Sequence, residues 1–143
     1  LYFNIKKLNC EKTYAKIRLM TKIAIIEDNT VINQMYRMKF EVEGFDVQVA
    51  ANGADGIKLV EKFSPDIILL DLQMPQMNGD EALKKIRESK KGKNIPVIIL
   101  TNTGKEEAPE NLKDLNIEGY IVKAEMTPKQ VVNRVKESLN KTD

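Results

Sequence analysis

The sequence contains no histidine, no tryptophan and only one cysteine, Cys10, among its 143 residues. Without histidine, the chain cannot itself supply a Ser-His or Cys-His nucleophile pair, a histidine metal ligand or a phosphohistidine. A single cysteine cannot form an internal disulfide, and no spaced Cys/His set is present for zinc. These absences exclude several large classes of hydrolase and metalloprotein.

Long apolar runs and an excess of one charge are also absent. The longest apolar runs, Ile67–Leu70 and Val97–Leu100, are far too short to cross a bilayer. The 23 basic and 21 acidic residues nearly cancel, so no general attraction to nucleic acid is expected. We therefore expect a cytoplasmic protein that contacts neither a membrane nor nucleic acid directly.

Residues 1–19 differ from the rest of the chain. They begin without Met, mix lysines with scattered apolar residues and lack the apolar core of a secretory signal. Met20 is followed at once by a strand pattern, so we interpret residues 1–19 as a leader, either added for expression or an upstream extension. An N-terminal helix or an interdomain linker is the alternative. Residues 20–143 have the length of one domain.

From Thr21 onward, apolar strands alternate with amphipathic helices. In the first helix, the apolar residues are predicted to form one broad buried face, and Gly44 is predicted to end the helix. That face comprises Val31, Ile32, Met35, Met38, Phe40 and Val42. Strands are predicted at 22–26, 46–50, 66–70, 95–100 and 118–122, and helices at 31–42, 54–63, 80–90, 109–115 and from 127.

This order of elements predicts an α/β fold. Five successive strand-helix units favour a parallel sheet with helices on both faces. Right-handed crossovers leave few topologies, of which the flavodoxin-like order 2-1-3-4-5 is the commonest for five strands. Ligands of such sheets bind at the carboxyl ends of the strands, where strands one and three part.

Acidic residues follow these two strands. Glu27 and Asp28 end strand one, and Asp71 ends strand three, so the fold brings three carboxylates to one edge. Like charges at close range repel, and a hard divalent cation relieves the repulsion. Mg²⁺ binds carboxylates, a backbone carbonyl and waters, and it completes its shell with a phosphate oxygen. Taken singly, Asp28 could instead cap a helix and Asp71 could form a turn.

Strands four and five also end in polar residues, Thr101 and Lys123. A lysine directed at a carboxylate cluster suits a phosphoryl oxygen, and a hydroxyl beside it can donate a hydrogen bond. Thr101 could also be an ordinary β-branched strand residue.

In combination, these residues resemble the signature of response-regulator receiver domains, and their spacing is similar to that of single-domain chemotaxis regulators. The resemblance covers residues 20 to about 139. Any one motif residue is a weak signal, but all of them at the ends of the correct strands are a strong one. The resemblance rests on Glu27-Asp28, Asp71, Thr101, Lys123 and the loop Met74-Pro75-Gln76-Met77-Asn78-Gly79.

The resemblance implies a phosphoacceptor domain of a two-component phosphorelay. It is not an ordinary enzyme, but it assists its own Mg²⁺-dependent phosphorylation and dephosphorylation. Asp71 would accept the phosphoryl group from a sensor histidine kinase or a phosphotransfer protein. Asp71 would also be a ligand of Mg²⁺. Asp28 would bind the ion directly, Glu27 mainly through water, and Gln73 through its backbone carbonyl.

The resemblance also implies a switch. Lys123 would pair with the phosphoryl group, Thr101 would move toward it, and Tyr120 would rotate inward. The alternative is that Tyr120 is a plain packing residue. The readout would be the surface of helix four, strand five and helix five. It would act on a downstream target protein or on a missing output domain, as a monomer or a phosphorylation-dependent dimer.

The sequence departs from the family pattern in three places, one of which is the pair Gln73 and Thr103, at positions that tune the lifetime of the phosphoryl group in the family. The other two lie next to the predicted site residues. Lys123 is followed by Ala124, where a proline with a cis bond is usual, and Thr101 is followed by Asn102, where a smaller residue is commoner. They leave open the alternative of a pseudo-receiver, which keeps the fold as an interaction module and is not phosphorylated. A haloacid-dehalogenase-like hydrolase is disfavoured, because no Asp-x-Asp follows strand one.

Overall fold

The computed structural model describes residues 20–104 and 107–141, so the predicted leader, residues 1–19, lies outside the described residues. None of the helices in these ranges has the length and hydropathy needed to cross a bilayer. The elements, in chain order, are β1 (Lys22–Ile26), α1 (Thr30–Val42), β2 (Asp46–Ala50), α2 (Gly53–Phe63), β3 (Ile67–Asp71), α3 (Gly79–Glu88), β4 (Val97–Thr101), the 3₁₀ helix η1 (Glu110–Leu115), β5 (Gly119–Val122) and α4 (Pro128–Lys141).

The five strands form one parallel sheet in the order β2-β1-β3-β4-β5, as predicted. β3 and β4 are buried along their whole length, which explains their continuous apolar sequences. Asp71 pairs with Leu100, and Thr101 pairs with Val122. The predicted site residues therefore emerge from neighbouring strands at the same edge of the sheet.

The sheet separates two hydrophobic cores. On one face, α1 and α4 cover a cluster that includes Phe40, Leu69 and Val132. On the other face, α2, α3 and η1 cover a cluster that includes Leu70 and Leu83. Each fully buried side chain of this size contributes about 1.5–3 kcal/mol through removal from water.

The predicted buried face of α1 is wrong for four of its six residues. The buried residues of α1 are Asn33, Tyr36 and Phe40. Apolar residues also recur on the opposite side, and periodicity alone cannot decide which of two apolar stripes faces the sheet. The exposed fractions on the solvent side are 77% for Val31, 41% for Met35, 66% for Met38 and 81% for Val42.

The boundaries of α1 agree with its capping signals, whereas the fourth helix differs from its prediction. Asn29 caps α1, because its Oδ1 accepts from the backbone N–H of Val31 and Ile32. Asp28 is therefore not the helix cap. Gly44, with φ of 95°, ends the turn after α1, as predicted. The fourth helix was predicted from Pro109 to Leu115, and the structure instead has a 3₁₀ helix over Glu110–Leu115.

Arg87, which no sequence motif marks, holds η1 in place. Its guanidinium lies among backbone carbonyl groups. It donates to the carbonyls of Leu115 at 2.8 Å and Asn116 at 3.0 Å, at the end of η1. It also donates to those of Gly92 at 2.8 Å and Ile95 at 2.7 Å, before β4. One side chain thus joins α3 to two loops.

Candidate functional site

Three carboxylates meet at the carboxyl edge of the sheet, as predicted. Glu27 directly follows β1, Asp71 ends β3, and these two strands are neighbours. One carboxylate oxygen from each of Glu27, Asp28 and Asp71 lies within 4.8 Å of the others. Glu27 and Asp71 are almost inaccessible, with exposed fractions of 0% and 1%, whereas Asp28 is half-buried. The cluster therefore opens to solvent on the side of Asp28.

Lys123 reaches this cluster from β5. Its Nζ lies 2.6 Å from Glu27 Oε2 and 3.1 Å from Asp71 Oδ1. Since β4 lies between β3 and β5, the long lysine side chain has to span the end of β4 to make these contacts. The backbone N–H of Lys123 donates to the carbonyl of Thr101 at 2.8 Å, so the hydrogen-bond ladder between β4 and β5 continues to Lys123.

Burial and neighbouring charge control the ionisation of the cluster. Burial, the charge of Glu27 and a hydrogen bond with Asp28 raise the pKa of Asp71 to about 7, although Lys123 acts in the opposite direction. Burial by itself lowers the pKa of Lys123, but the hydrogen bond to Glu27 and the charges of Asp71 and Glu27 raise it overall. Lys123 is therefore a permanent cation beside a carboxyl group that is reluctant to ionise.

The donor set fits a magnesium ion. Three carboxylates face one lysine, so negative charge remains uncompensated when all of them are ionised. All the side-chain ligand atoms of the cluster are carboxylate oxygens, the hard donors that Mg²⁺ prefers. The half-buried Asp28 provides the open side from which an ion with its waters can enter.

The loop after β3 is packed tightly against Asp71. The backbone N–H of Gln73 lies 3.3 Å from Asp71 Oδ1, and that of Gly79 donates to the carbonyl of Leu72 at 2.8 Å. A Cβ atom at position 79 would overlap the backbone oxygen of Asp71. The sequence Asn78-Gly79 is typical of a turn. Because Gly79 has no side chain, it also allows the start of α3 to lie close to Asp71.

Thr101 and Tyr120, the two predicted switch residues, lie on the neighbouring strands β4 and β5. Thr101 is buried at the end of β4, and its Oγ1 accepts from the backbone N–H of Thr103 at 3.1 Å. Tyr120 is half-buried among residues of the core that η1 covers, and burial raises its pKa. The Lys123–Ala124 bond is trans, because the described residues contain no cis peptide bond. The switching roles of Thr101 and Tyr120 stay predictions.

Comparisons with known proteins agree on one family. The family model described as the response regulator receiver domain matches residues 23–136. The chain is 34% identical over 124 residues to the transcriptional regulatory protein SrrA of Staphylococcus aureus, which covers 87% of the chain and 50% of SrrA. It is 31% identical over 124 residues to the DNA-binding dual master transcriptional regulator RpaA of Synechocystis, which covers 87% of the chain and 51% of RpaA.

Solved structures give the same result. The structure of the chemotaxis protein CheY4 of Vibrio cholerae superposes with a TM-score of 0.77 at 27% identity, covering 82% of the chain and 98% of CheY4. The curated relatives are longer, and the chain spans about half their length.

Proposed function

The chain belongs to the response regulator receiver domain family, and from this premise we propose that Asp71 accepts a phosphoryl group from a phosphohistidine donor in a Mg²⁺-dependent reaction. The family consists of phosphoacceptors of two-component signalling rather than classical enzymes. The observation that carries the proposal is the buried Asp71 carboxylate, 3.1 Å from Lys123 and grouped with Glu27 and Asp28.

Each residue of the site has a defined part in the transfer. An ionised Oδ of Asp71 bonds to phosphorus while the bond from phosphorus to the donor nitrogen breaks. Lys123 turns from the carboxylates to a phosphoryl oxygen and neutralises its charge. Asp28, Asp71 and the backbone carbonyl of Gln73 would hold Mg²⁺, and Glu27 would contact it mainly through water. When bound, Mg²⁺ offsets the negative charge of the carboxylates and of the phosphoryl oxygens.

The phosphoryl donor is a sensor histidine kinase or a phosphotransfer protein. The exposed apolar side of α1 supports docking of this donor through a helix. Val31, Met35, Met38 and Val42 follow the four-three-four spacing with which one helix packs along another. They line an open groove together with Pro128, the first residue of α4. Since α1 begins two residues after Asp28, a helix in this groove lies next to the acidic cluster.

The readout is a shift between two populated states. Thr101 moves toward the phosphoryl group and Tyr120 rotates inward, which changes the surface of η1, β5 and α4. This surface then acts on a target protein or on an output domain of the same protein, either as a monomer or as a phosphorylation-dependent dimer. RpaA and SrrA, which are transcriptional regulators of about twice the matched length, support an output domain. The cytoplasmic location stays a prediction.

The proposal is tested by incubating the protein with Mg²⁺ and acetyl phosphate and measuring the intact mass. We expect one added phosphoryl group in the wild type, none with EDTA, and none in Asp71→Asn. The matched control is Asp66→Asn, because Asp66 is an exposed aspartate before β3, at the opposite edge of the sheet. A wild type without an adduct, or an adduct that persists in Asp71→Asn, would favour the pseudo-receiver.

A further inference from the structure

Glu27 and Asp28 are consecutive residues whose carboxylates point into the same cluster. In an extended strand, consecutive side chains point to opposite faces of the sheet. Both carboxylates nevertheless have an oxygen within 4.8 Å of an Asp71 oxygen. The backbone must therefore turn at the peptide between Glu27 and Asp28. The ladder ends here, because the last bond between β1 and β2 runs from the N–H of Glu27 to the carbonyl of Ala50 at 3.0 Å.

Asn33 holds this turn from the first helix. It is 4% exposed and faces the sheet. Its Nδ2 donates to the carbonyl of Glu27 at 2.9 Å and to that of Ala50 at 3.2 Å. One amide group thus ties α1 to the last residue of β2 and to the peptide at which the chain turns. The backbone N–H of Asn29 adds a bond to Glu27 Oε1 at 3.1 Å.

A residue needed only for packing would be apolar at this position. Asn33 lies beside the same core as Tyr36 and Phe40, and its Oδ1 is buried without a hydrogen-bond partner within the described part of the chain. A buried acceptor without a partner lowers stability. Because the amide oxygen costs stability, the useful part of Asn33 is its pair of N–H donors.

We propose that Asn33 is a positioning residue for divalent cation binding. By holding the Glu27 carbonyl, it keeps the turn that directs both Glu27 and Asp28 toward Asp71. The inference rests on the proposed function, because the Glu27 and Asp28 carboxylates need to lie beside Asp71 only if the three bind a cation. Groups that orient metal ligands without touching the metal commonly change its affinity by about 10- to 100-fold when they are removed.

The test replaces Asn33 with leucine, which has a similar shape and no donors, and measures Mg²⁺ binding by calorimetry. We expect Asn33→Leu to bind Mg²⁺ about tenfold more weakly than the wild type. The control is Ser138→Ala, because Ser138 is also a fully buried polar residue, bonded to Arg134 on α4. We expect both variants to have a lower free energy of unfolding than the wild type, measured by urea denaturation in EDTA. Ser138→Ala nevertheless keeps the wild-type Mg²⁺ affinity.

Unchanged Mg²⁺ affinity in Asn33→Leu, whatever its stability, overturns the positioning role and leaves the proposed function intact. A wild type that neither binds Mg²⁺ nor takes up a phosphoryl group overturns both. If Asn33→Leu does not fold, Asn33→Ser is measured instead, because its hydroxyl is smaller and keeps one donor. We expect Asn33→Ser to bind Mg²⁺ more weakly than the wild type, because it keeps only one donor. Full wild-type affinity contradicts the inference.

Discussion

Asp71 is nearly inaccessible to water, and its ionisation couples stability to pH. Its pKa lies near 7 in the folded protein, compared with an ordinary value of 3.8. Below about pH 4, the carboxyl is protonated in both states and imposes no penalty on folding. Between pH 4 and 7, the unfolded chain releases the proton while the folded protein keeps it, so the penalty grows. Above pH 7, the penalty is complete.

We therefore expect Asp71→Asn to be more stable than the wild type at pH 8, in EDTA, by about 4 kcal/mol, because each unit of raised pKa corresponds to about 1.4 kcal/mol. The raised pKa already includes the opposing effect of Lys123. The difference shrinks toward zero as the pH falls to 4. Urea unfolding of both proteins at several pH values measures it, and an equal pH dependence in the two proteins contradicts the assigned pKa.

Protonation of the Asp71 carboxyl competes with Mg²⁺ binding. Because Mg²⁺ binds the ionised carboxylate, its apparent affinity should rise about tenfold per pH unit below the pKa of Asp71 and level off above about pH 7. Calorimetric titration of the wild type with Mg²⁺ from pH 5.5 to 8.5 checks this. Constant affinity over the range would mean that Asp71 is not a ligand, or that it is already ionised at pH 5.5.

At the scale of the element, α1 carries two apolar stripes, of which only one is buried. We expect Phe40→Ala to lower the free energy of unfolding by about 3–5 kcal/mol, because the ring is fully buried. Met38→Ala should change it by less than about 0.5 kcal/mol, because the side chain is mostly exposed. Chemical denaturation compares the two variants, and a large loss in Met38→Ala contradicts the orientation of the helix.

Arg87 gives a second prediction at this scale, because it attaches η1 to α3. Lysine keeps the charge but cannot reach several carbonyls at once, so Arg87→Lys should lose about 1–3 kcal/mol of stability. The backbone amides of η1 should then exchange with deuterium faster, while those of α2 stay protected relative to global unfolding. Unchanged exchange in η1 would show that other contacts hold it.

The sequence predicts the elements and the site unequally well, for physical reasons. The strands and their order follow from apolar runs and short connections, and Asp71, Thr101 and Lys123 are recognisable because they end such runs. The roles of Asn33, Arg87 and Gly79 depend on backbone carbonyls brought close only by the tertiary fold. The buried side of α1 could not be chosen either, since both of its sides carry apolar residues.

At the scale of the whole molecule, the parallel sheet collects residues that are distant in sequence at one edge. The proposed docking groove along α1 includes Pro128 of α4, and η1, β5 and α4 carry the predicted readout surface. The proposed input and output surfaces therefore meet at α4.

In the proposed function, Asp71 presents one oxygen to a phosphoryl group beside Mg²⁺ and Lys123. Beryllofluoride, which imitates a phosphoryl group on a carboxylate, tests this most directly by ¹⁹F NMR. We expect protein-bound fluorine resonances in the wild type with Mg²⁺, and their loss with EDTA and in Asp71→Asn. A folded wild type that gives no bound resonance, or resonances that persist in Asp71→Asn, would contradict the claim.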